Sequence, residues 1–78
     1  MDAKCAAIRY VLSHIDPVTA VKIVHTFSLP SEEEECIILH DIKRKSLIQI
    51  SDHLCVSPET VKRGRRSGLL KIADATLN

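Results

Sequence analysis

Aromatic residues are nearly absent from this chain: its 78 residues include one Tyr, one Phe and no Trp. A platform that stacks the bases of single strands needs aromatic faces, so that class is disfavoured. The core must then come from Ile, Leu, Val and Ala. Glycine is also scarce, with two residues, and prolines stand only at 17, 30 and 58. Such sparse breakers suit several short helices with tight connections. No stretch reaches the roughly 18 consecutive apolar residues of a transmembrane helix. The opening MDAKCAAIRYVLSHID carries charges and a histidine where a secretory signal needs an unbroken apolar segment. Cys5, Cys36 and Cys55 are odd in number and widely spaced. They read as reduced thiols of a cytoplasmic protein, not as a disulfide framework.

What is present describes one small folded unit. A hydrophobic share of 45% is ordinary for a globular chain, and the length fits a single domain with a modest core. The net charge of +1 conceals an asymmetry. Residues 1–40 hold three basic and six acidic groups, whereas residues 41–78 hold eight basic and four acidic ones. Within 57–72, Lys62, Arg63, Arg65, Arg66 and Lys71 face only Glu59. A domain with one basic end has the electrostatic footprint of a polyanion binder.

Helical periodicity organises the chain. Cys5, Ile8, Val11, Leu12 and Ile15 share one face of a helix over 3–15. Asp16-Pro17 then reads as a cap with proline at the first helical position, opening a helix over 17–27 that buries Ala20, Val21 and Val24. Val18 and Ile23 fall off that stripe, so this pair either packs on two sides or offers a surface to a partner. A third helix starts at Leu29-Pro30-Ser31 and runs to about Ile42. Its four consecutive glutamates, Glu32 to Glu35, suit the positive end of the helix dipole; an acidic metal or partner site is the alternative.

Ser46 caps a short helix over 46–54, with Leu47, Ile50 and Leu54 inward and Gln49, Asp52 and His53 outward. Cys55-Val56 makes a turn. Ser57-Pro58-Glu59 then supplies a cap, a proline and an acid for a last helix expected to end near Ile72, before a frayed tail over 73–78. Two short helices joined by a tight turn, the second one basic, outline a helix-turn-helix. At about 100° per residue, Gly68 and Ile72 fall within about 20° of Val61 and should face the core. Glu59, Lys62, Arg63 and Arg66 point about 100–200° away, where long side chains can reach base edges in a major groove. Lys43, Arg44, Lys45 and Ser46, ahead of the motif, are placed for phosphate contacts.

The stretch LPSEEEECIILHDIKRKSLIQISDHLCVSPETVKRGRRSGLLKI, residues 29–72, resembles the DNA-binding region four of bacterial sigma factors. Leu29-Pro30 with Glu32 and Glu34 matches the opening acidic helix, and Ser46, Ile50 and Leu54 match the first motif helix. The run from Val56 to Lys62 matches the turn and the start of the recognition helix. The pattern is also similar to LuxR-type response-regulator domains and to small phage or mobile-element transcription regulators. This resemblance implies that Glu59, Lys62, Arg63 and Arg66 contact a promoter −35 element. Ser57, Thr60 and Arg65 of the same helix start and basic run are further candidate DNA-binding residues. Cys55 stands where the family usually has a turn glycine, and Arg65 falls near the inward face, where the family often has leucine. A chain of this length has no room for the sigma segments that melt promoter DNA, so a stand-alone regulator, or a domain acting beside other factors, is expected.

The combined reading is an all-α single domain of about five short helices. An N-terminal helical pair over 1–28 precedes the helix-turn-helix region over 29–72. The expected function is a transcription regulator that reads duplex DNA. The alternative is an interaction module that binds RNA polymerase or a sigma- or anti-sigma-like partner through the same scaffold. The first two helices are the expected interface if the protein forms a homodimer. Cys36, His40, His53 and Cys55 could offer two sulfurs and two nitrogens to zinc, but no CxxC or HxxxH spacing supports a metal site. No phosphate loop or nucleophile elbow occurs, so neither cofactor nor enzymatic activity is expected.

Overall fold

A computed structural model describes residues 3–77, with side chains to 76. Among them all regular structure is helical: α1 (Ala3–His14), α2 (Pro17–Thr26), α3 (Ser31–Ile37), a π-helical turn (Ile38–Ile42), α4 (Leu47–Leu54) and α5 (Pro58–Leu77). None of these helices is long and apolar enough to cross a membrane. The starts of α2, α4 and α5 follow their caps. Asp16 accepts from the Thr19 amide at 3.0 Å. Ser46 and Gln49 form a reciprocal capping box, Gln49 N–H to Ser46 Oγ at 3.1 Å and Ser46 N–H to Gln49 Oε1 at 3.0 Å.

Helix ends are made without glycine. Ser28, Arg44 and Cys55, which follow α2, the π turn and α4, all hold positive φ, at 50°, 58° and 57°. Each position costs a non-glycine residue about 1 kcal/mol, which the surrounding packing must offset.

α5 is the axis of the fold, packed by α1, α3 and α4. One core cluster joins Cys5 and Leu12 of α1, Ala20 and Val24 of α2, Ile37 of α3, and Leu69 and Ile72 of α5. Leu70 packs against this same cluster. A smaller cluster of Cys36, Ile50 and Val61 sits beneath the helix-turn-helix. The N-terminal pair is therefore part of the main core. The radius of gyration of 11.5 Å agrees, being what about 2.2·N^0.38 Å gives for one folded unit of this length.

Two expectations about helix extent need correction. α5 does not stop near Ile72 but continues to Leu77. Ala73 is buried, and Ile72 and Thr76 line an apolar cleft with Ile8, Val11 and Phe27. Tertiary packing holds a segment whose own pattern lacks an apolar stripe; Asn78 lies outside the described residues. The third helix is α-helical only to Ile37. Its continuation widens into the π turn, closed by Lys43 N–H to the Ile38 carbonyl at 2.9 Å. Lys45 N–H then meets the Leu39 carbonyl at 2.8 Å.

Candidate nucleic-acid interface

α4 and α5 form the helix-turn-helix. Cys55 turns the chain in the left-handed region (φ 57°, ψ 42°), and Val56 N–H returns to the Ser51 carbonyl at 3.1 Å. Ser57 then caps α5, its Oγ accepting from the Thr60 amide at 3.2 Å and lying 2.9 Å from Thr60 Oγ1. With Pro58 at the first helical position, this cap fixes where α5 begins, and so which of its side chains face outward.

The inward face of α5 comprises Val61, Arg65, Gly68, Leu69, Ile72 and Ala73, all buried. Gly68 is required by close approach: a Cβ there would lie 2.6 Å from Ile37 Cδ1 and 3.4 Å from Glu33 Cβ. Glu59, Lys62, Arg63 and Arg66 are exposed and line one shallow groove together. Lys62 Nζ lies 3.8 Å from Glu59 Oε1, a loose exposed pair that leaves the lysine available. Glu32 and Glu33 share a second cleft with Arg63, forming an acidic border on the α3 side of this basic surface.

Arg65 does not belong to the outward set. Its side chain is 9% exposed and its guanidinium grips Asp41, itself 5% exposed, with Nε–Oδ2 at 2.8 Å and Nη2–Oδ1 at 3.0 Å. The sequence places Arg65 near the inward face but does not reveal its partner. A usable signal existed: Asp41 lies four residues after buried Ile37, and Arg65 four residues after buried Val61. Two opposite charges thus occupy stripe positions of two helical segments.

No family model, curated protein or solved structure matches this chain.

The remaining expected contacts are more scattered. Lys43 and Lys45 are exposed on the turn before α4. Arg44 folds back, and its Nη2 donates to the Ser13 carbonyl at the end of α1 at 3.1 Å. Ser46 is committed to its capping box, and Ser57 and Thr60 to each other. Of the four glutamates opening α3, Glu33 meets Lys71 Nζ at 3.0 and 3.1 Å and Ser67 Oγ at 3.3 Å. Glu34 Oε1 lies 2.7 Å from His25 Nδ1. Both therefore act as tertiary ties in addition to their place at a helix start. Among the described residues no group of three or more His, Cys, Asp or Glu is gathered as a metal site. Cys36 is buried in the small core cluster, while Cys55 is exposed on the turn.

Proposed function

We propose that this protein is a transcription regulator that binds duplex DNA, with the first three turns of α5 in the major groove. The observation that carries this reading is the division of α5 into two faces. Lys62, Arg63 and Arg66 stand clear of the core on the second helix of a helix-turn-helix, just after a sharply capped start. Arginine and lysine there can pair with guanine, and Glu59 can accept from a cytosine amine. Lys43 and Lys45 add charge for phosphates flanking the groove. The resemblance of residues 29–72 to sigma region four supports the same assignment. Arg65 takes no part in DNA contact on this reading; it sets the rotation of α5 through Asp41.

Selection from a random duplex pool tests this directly. Enrichment of a defined site is the expected result, a palindrome indicating a dimer and a single −35-like site a sigma-like mode. No binding of labelled duplex, even at low salt, would reject the reading.

One observation favours a second reading. Ile48 on α4 is 67% exposed, and Tyr10 and Val18 on the N-terminal pair are 63% and 62% exposed. Such side chains suit an interaction module that docks on polymerase or a sigma-like partner. Salt separates the two: DNA affinity falls steeply as salt rises, whereas an apolar interface hardly responds.

A further inference from the structure

Arg63 stands at the boundary between two surfaces. It lines the groove it shares with Glu59, Lys62 and Arg66, and also a cleft of about 530 Å³ between α5 and the start of α3. Its place on α5 explains this. At about 100° per residue, Lys62 lies about 100° from buried Val61, Arg66 about 140°, Glu59 about 160° and Arg63 about 200°. Ser67 and Thr60 follow at about 240° and about 260°, and both line the cleft. Lys62 therefore marks one edge of the outward face, and Arg63 the edge that meets α3.

Glu32 and Glu33 supply the carboxylates of that cleft. Glu33 is already committed, to Lys71 Nζ at 3.0 and 3.1 Å and to Ser67 Oγ at 3.3 Å. Glu32 is exposed, and among the described residues neither it nor Arg63 makes an ion pair or a side-chain hydrogen bond. The cleft therefore holds one uncommitted carboxylate and one uncommitted guanidinium that are not joined to each other. The charge of Glu32 is felt beneath α5 as well. Cys36 Sγ would lie 3.5 Å from a Cβ at Gly64, the neighbour of Arg63. Burial pushes the Cys36 thiol up first, and Glu32 is the next cause, ahead of Glu35 and Glu33.

A phosphate and a base edge meet these two residues differently. A backbone phosphate carries a full negative charge, so one drawn to Arg63 through the cleft is repelled by Glu32. Guanine O6 and N7 are neutral acceptors, which an arginine fork can reach from the groove with little of that penalty. Salt limits the range to about 8 Å at physiological ionic strength, so the repulsion is greatest for phosphates entering the cleft itself. We infer that Glu32 is a specificity-determining residue, one that keeps backbone phosphate out of the cleft and leaves Arg63 to a base edge. Specificity is a difference of affinities, and repelling non-specific contacts raises it as adding specific ones does. This role rests on the DNA-binding reading proposed above.

Fluorescence anisotropy of the full chain tests this with two labelled duplexes of equal length, the selected site and a scrambled one, at several salt concentrations. Glu32→Gln should bind the scrambled duplex about three- to tenfold more tightly, with a salt slope steeper by about one, the mark of an added phosphate contact. Affinity for the selected duplex should change by less than about twofold, so that discrimination falls. Glu32→Gln added to Arg63→Ala should bind the scrambled duplex within about twofold of Arg63→Ala alone, because no arginine is left to expose. Glu35→Gln, the same charge loss outside the cleft, should keep the discrimination of the parent. Glu32 is exposed in the first turn of α3, so its variant forfeits only a little helix-dipole stabilisation and should fold. Equal tightening on both duplexes, an equal effect of Glu35→Gln, or a gain that persists without Arg63 would overturn the inference and leave the DNA reading intact. A parent that binds both duplexes alike would also overturn it, since there would be no discrimination to lose. No binding of the parent to either duplex would instead reject the DNA reading, and this role with it.

Discussion

Arg65 of α5 and Asp41 of the π turn, 24 residues apart, form a bidentate ion pair inside the protein, with both hydrogen bonds at 3.0 Å or shorter. The pair joins the helix that carries the outward cations to the segment behind it. Arg65 lies between Arg63 and Arg66 in sequence, so anchoring it inward turns its neighbours toward solvent.

Breaking this pair from one side should be costly. Asp41→Ala leaves a guanidinium buried without its partner and is expected to lower stability by about 3–5 kcal/mol in urea unfolding. Replacing both members with apolar residues, Asp41→Leu with Arg65→Met, should restore most of that loss. A double variant as unstable as Asp41→Ala would show that the ion pair itself supplies the stabilisation.

The two glycines should respond in opposite directions. At Gly64 an added methyl meets Cys36 Sγ at an ordinary 3.5 Å, so Gly64→Ala should gain about 0.5–1 kcal/mol from helix propensity. At Gly68 the methyl would meet fully buried Ile37 at 2.6 Å. Ile37 has little room to move, and overpacking of about 1–3 kcal/mol should outweigh the propensity gain. Thermal unfolding of the two variants should therefore shift above and below the parent, respectively.

Cys55 holds a left-handed conformation between the two motif helices. Cys55→Gly removes a backbone cost of about 1 kcal/mol, and a midpoint rise of about 4–8 °C is expected for a domain of this size. The same variant should lose the fastest-reacting thiol, since Cys5 and Cys36 are buried and Cys55 is exposed. Alkylation of the native parent should modify one cysteine rapidly and the other two only on unfolding.

The Cys36 thiol is pushed up from its ordinary pKa by burial, and further by the charges of Glu32, Glu35 and Glu33. The folded chain therefore keeps this proton after the unfolded chain has lost it. The stabilising contribution is fully present below the unfolded value of about 8.5 and is lost as pH rises through the folded value. Stability should fall above about pH 8.5, by at most about 1.4 kcal/mol per pH unit from this group. Cys36→Ala should lack that part of the slope in denaturant titrations between pH 7.5 and 10.

For the proposed DNA contact, Arg63→Ala and Arg66→Ala should each weaken binding to a selected duplex by about 1–3 kcal/mol if they read bases. A residue that contacts phosphate should instead weaken all sequences alike and reduce the salt slope by about one. Equilibrium binding to the selected and to a scrambled duplex, at several salt concentrations, separates the two roles.

Local rules carried much of this protein. Asp16-Pro17, Ser46 with Gln49, and Ser57-Pro58 fix three helix starts because a cap needs only residues within one turn. The 3.6-residue period likewise puts Val61, Gly68 and Ile72 inward and Glu59, Lys62, Arg63 and Arg66 outward. What depended on surfaces meeting was decided only in three dimensions. The partner of Arg65, Asp41, lies 24 residues away, and that of Glu33, Lys71, lies 38 residues away; neither pairing is visible until the helices are packed. The end of α5 moved for the same reason, since Ile72 and Thr76 gain helical company from α1 and α2 that their own segment cannot supply. A local pattern specifies which way a side chain points along its own helix, but a pairing or a cavity requires knowing which helix lies opposite.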